Sequence, residues 1–281
     1  MRNKIYRLIA IIFIIAFFNC MLLENLYSIK KERLPIIDFK SIEKIDKIAE
    51  FSVTDESINE IKSYCEQNKI DFIDFFTSYM KYNNYEVDSV SYDYDNKYYN
   101  NVDNTKEIKQ IYKIILSDIK YFPIPKNKKT NNHKYSYCNS WLAERTYGGE
   151  RKHYGTDIID CEDERGYFPV VSMTDGYVQK IGWLELGGWR VGIRAKHGGY
   201  FYYAHLDKYA KGIKEGSKIK AGEVIGYMGN SGYGKEGTCG KFVVHLHLGI
   251  SLPLNEQMDD FWINPYWILR YIEDSKVTKK Y

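Results

Sequence analysis

The chain has 281 residues, 44% of them hydrophobic and 27% charged, with a net charge of +3, enough for one large or two modest domains with a sizeable core. So small a positive excess, with no sustained basic helix, gives no argument for a nucleic-acid partner. Five cysteines at irregular spacing, with no C-x-x-C, argue against a disulfide framework, although one bridge among Cys138, Cys161 and Cys239 would suit an oxidising compartment.

In chain order, Arg2, Lys4 and Arg7 precede the apolar run Leu8–Phe18, and apolar character resumes at Met21–Leu23. A basic flank before such a run marks a signal peptide or an N-in membrane anchor. The run is short for a span of about 20 residues. No small-x-small cleavage site follows it, which favours an anchor over segment 1–23. "FFNC" lacks the small residues that a lipidation signal places before its cysteine, here Cys20. On either reading the remainder lies outside the cytoplasm.

Residues 24–122 read as mostly helical. Ile42, Ile45 and Ile48 recur after Ser41; Ile58, Ile61 and Cys65 follow the cap-and-acid signal "TDES"; "DFIDFFTSYM" (71–80) is amphipathic. Ile108, Ile111, Ile115 and Ile119 form one stripe behind a Thr105 cap. Residues 83–104 are polar without a period and read as a loop. Pro123 and Pro125 end the last helix, so the basic, polar 123–136 reads as a linker with His133 in solvent.

From 137 to 271, short alternating runs such as "GYVQKIGW", "WRVGIRAKH", "GYFYYAHL" and "EVIGYMG" alternate with glycine-rich turns. They predict an antiparallel β domain able to fold from about residue 136, followed by a 272–281 tail. "KIKAGEVIG" reads as strand, turn at Ala221–Gly222, and strand. The fold class is therefore α+β, with an antiparallel C-terminal domain behind a helical region and a membrane or signal segment. His197 reads as a turn residue, and Trp183 and Trp189 as groove lining or packing.

The chemistry concentrates in the β domain. "FVVHLHLGI" (242–250) splits with a period of two, placing Val244, Leu246, Leu248 and Ile250 on one face and His245 and His247 on the other. Two such histidines lie about 7 Å apart at Cα, close enough to serve one small site. "KHYGTD" adds His153 and Asp157, and "FYYAHLD" adds His205, which strict alternation puts on the face of Tyr203. A catalytic zinc uses three ligands from imidazole and carboxylate and keeps a fourth position open. No H-E-x-x-H is present. On a straight strand His153 and Asp157 would lie about 13 Å apart, so a shared metal requires a bend, which Gly155 permits.

In this order, "RKHYGTDI", "GYVQKIGW", "YYAHL", "IKAGEVIGYMGNSG" and "HLHLGI" resemble the lysostaphin-type (LytM-like) zinc endopeptidases of bacterial peptidoglycan. The resemblance implies an antiparallel β fold with a substrate groove and one Zn2+ per chain, held by His153, Asp157 and His247. It also implies that His205 and His245 are the catalytic histidines, with Tyr147 as a transition-state partner. The substrate would be peptidoglycan peptides in the bacterial envelope. Two departures stand out: Val244 where the family has proline before His-x-His, and a longer stretch, "YGKEGTCGKFVV", between Gly232 and His245. The alternatives are a catalytically silent scaffold that binds wall peptides or an envelope partner, and a zinc amidase. All five metal and catalytic positions are kept, which favours the enzyme.

Overall fold

The computed structural model describes residues 17, 44–90, 106–129, 133–252 and 261–281. Segment 1–23 lies outside the described residues apart from Phe17, as do Ile42 and Thr105. Among the described residues no helix is long and apolar enough to cross a membrane. The elements named below fall within one compact unit, Ile37–Tyr281.

The helical part begins with α1 (Ile45–Glu50) and β1 (Ser52–Val53). Then come α2 (Asp55–Asn68), α3 (Phe72–Tyr82), β2 (Glu86–Val87) and α4 (Lys106–Leu116). Local chemistry sets their starts. The Thr54 hydroxyl accepts from Ser57 N at 3.2 Å, and the Asp71 carboxylate accepts from Asp74 N at 2.9 Å, each satisfying an amide that a helix N-terminus leaves unpaired. Ile58, Ile61 and Cys65 are buried on α2, and Ile108, Ile111 and Ile115 on α4. The stripe stops before Ile119, which leaves the helix and bridges to Thr174. Inside the expected 83–104 loop, β2 pairs in parallel with β1.

Two short strands follow, β3 (Lys126–Asn127) and β4 (Tyr135–Ser136). A tight hairpin is made by β5 (Glu144–Arg145) and β6 (Arg151–Lys152). The main sheet then adds β7 (Thr156–Asp160), β8 (Pro169–Val171), β9 (Gly176–Leu184), β10 (Gly188–Ala195) and β11 (Tyr200–Tyr209). Its later strands are β12 (Lys218–Ile219), β13 (Val224–Met228), β14 (His245–Leu252) and β15 (Phe261–Ile263). Helix α5 (Tyr266–Tyr271) and β16 (Thr278–Lys279) close the chain. The sheet order is β12-β9-β10-β11-β14-β7-β4, with β13 and β15 branching from β11 and β14. Every ladder in it is antiparallel, as the alternating runs imply. The turn expected at Ala221–Gly222 does separate β12 from β13.

The segment expected as a free linker, 123–136, is instead tied down at both ends. Ile124 is fully buried and Val171 N donates to Pro123 O at 2.8 Å. β3 pairs in parallel with β16 of the tail, and the Tyr281 hydroxyl donates to Pro125 O at 2.8 Å. His133, expected in solvent, sits 2.5 Å from Asp160 through Nε2 and stacks on Tyr167 at 3.7 Å. Polar composition hid these anchors because each partner is distant in sequence. The helical region packs on the sheet through α4 against β14 and α1 against β15, and α2 packs on the C-terminal helix α5. One continuous apolar core thus runs from Ile48 to Ile272.

Candidate metal centre and active site

The β14–β7 ladder sets the register on which the site depends. His247 lies directly opposite Asp157, and His245 opposite Ile159. Val244, Leu246, Leu248 and Ile250 are fully buried, while the His245 and His247 side chains stay 12% and 17% exposed. The expected two-faced strand is therefore present. His153 arrives from the β5–β6 hairpin, with its backbone N donating to Ala143 O at 2.9 Å, and the chain bends at Gly155 before β7. A Cβ on Gly155 would come within 2.4 Å of the His247 ring, so close approach, in addition to the bend, requires glycine there.

Three atoms converge. His153 Nε2 lies 3.1 Å from Asp157 Oδ1 and 2.9 Å from His247 Nδ1, and that Nδ1 lies 2.9 Å from the same carboxylate oxygen. His153 Nδ1 donates to Ser140 O at 2.9 Å, which fixes the tautomer and leaves Nε2 as the basic nitrogen. Burial opposes the Asp157 charge, yet the adjoining His153 and His247 rings hold its carboxyl far below the usual carboxylate range. Burial pushes His247 down, against the pull of Asp157, so the imidazole is neutral at neutral pH. Two imidazoles and one carboxylate, with one ligand-type atom of each lying within 4.8 Å of the others, are a donor set that fits zinc.

His205 and His245 stand beside this point, their ring centroids 4.6 Å apart. His245 Nδ1 donates to Val243 O at 2.9 Å, and His205 Nδ1 donates to Ser231 O at 2.8 Å. Each ring therefore keeps a basic Nε2; that of His245 lies 3.8 Å from Asp157 Oδ1. Burial lowers the pKa of His245, and burial together with its neighbours His245 and His247 lowers that of His205 well below 6.5.

Strict alternation misplaces one residue. Tyr203 is fully buried in the core, where its hydroxyl accepts from Met173 N. Tyr202, one residue earlier, shares the cavity with His205. The register shifts between Trp189 and Val191 on the partner strand, and His205 adopts φ 60°, so a β-bulge changes the phase of β11.

The four histidines and Asp157 line a cavity of about 350 Å³, walled further by Arg145, Arg151, Tyr202, Tyr233 and Phe242. Tyr147 is not on that wall. Its ring, 42% exposed, stacks on Tyr233 with centroids 4.1 Å apart, and its hydroxyl donates to Tyr233 O at 2.5 Å. Arg145 escaped sequence reasoning: its Nη2 donates to Asp157 Oδ2 at 2.7 Å. The two departures from the family pattern have local reasons. Val244 N donates to Asp163 Oδ1 at 2.6 Å, a bond proline could not make, and the long 233–244 stretch supplies Tyr233 and Phe242 to the wall.

The remaining residues singled out have structural settings. His197 occupies its turn and holds Asp118 through its backbone N and through Nδ1 at 2.9 Å. Trp183 and Trp189 pack edge to face at 5.2 Å and do not line the cavity. Cys138, Cys161 and Cys239 are free, so the bridge considered among them is not formed.

A family profile described as "Peptidase family M23" matches residues 151–259. A crystal structure of a candidate glycyl-glycine endopeptidase, LytM, from Ruminococcus gnavus is 42% identical, covering 84% of this chain and 93% of that one with a TM-score of 0.70. The L-Ala–D-Glu endopeptidase of Bacillus subtilis is 43% identical over 146 residues, 52% of this chain and 43% of that protein. The glycyl-glycine endopeptidase ALE-1 of Staphylococcus capitis is 31% identical over 111 residues, 37% of this chain and 29% of that protein. The chain thus spans less than half the length of these two curated relatives.

Proposed function

The chain belongs to peptidase family M23, and from this premise we propose that it is a zinc-dependent endopeptidase that hydrolyses peptide bonds of peptidoglycan. One observation carries the reading: three metal-type donors converge in a cavity that also holds two further histidines, each with its Nδ1 proton committed to a backbone carbonyl. His153, Asp157 and His247 would hold the zinc. When bound, the ion would supply Lewis acidity, polarising a scissile carbonyl and acidifying a water. The chain's own residues do the rest. Neutral Nε2 atoms on His205 and His245 accept the proton of an attacking water and return it to the leaving amine. Arg145 holds the second oxygen of Asp157, which keeps the first directed at His153 and His247. Tyr147 lies off the cavity wall, stacked on Tyr233, and its hydroxyl can take part only by leaving Tyr233 O.

Peptidoglycan is supported by relatives named as L-Ala–D-Glu and glycyl-glycine endopeptidases. The same reading places the domain in the cell envelope outside the cytoplasm. Arg2, Lys4 and Arg7 ahead of Leu8–Phe18 support an anchor. Zinc content and hydrolysis of wall peptides, measured on the full chain before and after chelation, test the proposal. One zinc per chain with activity lost and restored in step with it is expected. Full activity in the chelated, zinc-free chain would refute it.

A further inference from the structure

The β5–β6 hairpin sets two like charges side by side. Arg145 and Arg151 are direct cross-strand partners, an arrangement that destabilises a hairpin, and both line the cavity. Asp157 is the only acidic residue on that wall among the described residues. The two arginines are not equivalent. Arg145 is committed to Asp157 Oδ2. Arg151 is braced at the rim, donating from Nη2 to the Tyr233 hydroxyl at 3.0 Å and from Nε to Tyr147 O at 3.4 Å. Its Nη1 has no hydrogen-bond partner among the described residues. A guanidinium held in place on one edge and open on another is suited to a carboxylate brought in by a ligand. An unfavourable charge placement kept at a cavity wall is the kind of local cost found at functional sites.

We propose that Arg151 is a specificity residue that binds a free carboxylate of the substrate beside the scissile bond. The substrate class is then an acidic stem peptide, whose γ-linked D-Glu carries a free α-carboxylate, rather than a neutral oligoglycine bridge. This rests on the endopeptidase reading above. Neutral bridges offer Arg151 only carbonyl acceptors, whereas a carboxylate offers a stronger, charge-assisted bond in a partly desolvated cavity.

The test compares three substrates on the zinc-loaded full chain: a stem tetrapeptide with the D-Glu α-carboxylate free, the same peptide with that group amidated, and pentaglycine. Cleavage of the free acid is expected to exceed that of the amide by about 10–100-fold in kcat/KM. Arg151→Gln should bring the ratio close to one, with Arg151→Lys in between; equal zinc content in the variants shows that the site still folds. Equal cleavage of acid and amide, preference for pentaglycine, or a preference that survives Arg151→Gln would overturn the proposal. Equilibrium binding of the acid and amide peptides to the metal-depleted full chain separates this from the enzymatic reading. If nothing is cleaved while the wild type alone prefers the acid, the endopeptidase reading fails and Arg151 stands. Equal binding of acid and amide refutes Arg151 whatever is cleaved.

Discussion

His245 and His247 are two residues apart on one strand face, yet they are bonded differently. His247 Nδ1 meets Asp157 and His153, whereas His245 Nδ1 is turned back to Val243 O. His247→Ala and Asp157→Ala should therefore lose zinc, leaving two donors where three are needed. His245→Ala and His205→Ala should keep zinc and lose about 10²–10⁴-fold in turnover. Metal analysis and peptide hydrolysis on the four variants check this; loss of zinc from His245→Ala with retention in His247→Ala would reverse the roles. His205 also carries a pH signature. Its folded pKa lies well below 6.5, chiefly through burial, whereas the unfolded residue titrates near 6.5. Below about pH 6.5 the unfolded chain takes up a proton that the folded chain does not, so stability present above that pH is lost as it falls. Urea unfolding of the metal-depleted protein should show stability dropping between pH 7 and 5, with a shallower slope in His205→Asn. That His245 and His247 share a strand face was legible because alternation acts over a few residues, whereas the grouping of His153, Asp157 and His247 was implied only by the resemblance. Arg145 was not, since its importance lies in a bond to Asp157 that no periodicity encodes.

At the scale of elements, the site is a junction of one ladder, one hairpin and one bulge. The β14–β7 ladder sets His247 against Asp157 by register alone, and an alternating sequence is enough to foresee such a strand. The β11 bulge defeated the same rule. A single left-handed residue, His205 at φ 60°, moved Tyr203 to the core and joined Tyr202 to the cavity. The β5–β6 hairpin brings in His153 and Arg145 together, and partners that orient a ligand commonly contribute 10–100-fold to metal affinity. Arg145→Met should weaken zinc binding by about that factor in a chelator competition; unchanged affinity would show that Arg145 does not hold Asp157 in place. Gly155→Val should be more severe, because its Cβ would meet the His247 ring at 2.4 Å. Loss of zinc without loss of the helical fold is the expected result, read by metal analysis with circular dichroism.

Over the whole molecule, helices and sheet share one core, so the boundary suggested by composition at 123–136 does not divide it. Asn264 N donates to Ala49 O at 2.7 Å, Arg270 pairs with Asp55, and His197 pairs with Asp118. Prolines and polar residues mark where an element ends, but not whether the following chain is pinned by a strand 150 residues away. The fragment 136–281 should accordingly unfold at lower temperature than the full chain, having lost the helices that cover β14 and β15. Equal thermal midpoints would show that the helical region is an independent appendage. The central claim concerns chemistry rather than stability, and one measurement addresses it directly: mass spectrometry of the fragments that the zinc-loaded full chain releases from purified cell walls. New free amines at peptide bonds, released far more slowly with His245→Ala, are the expected result. Glycosidic fragments alone, or no new amine with zinc fully bound, would contradict it.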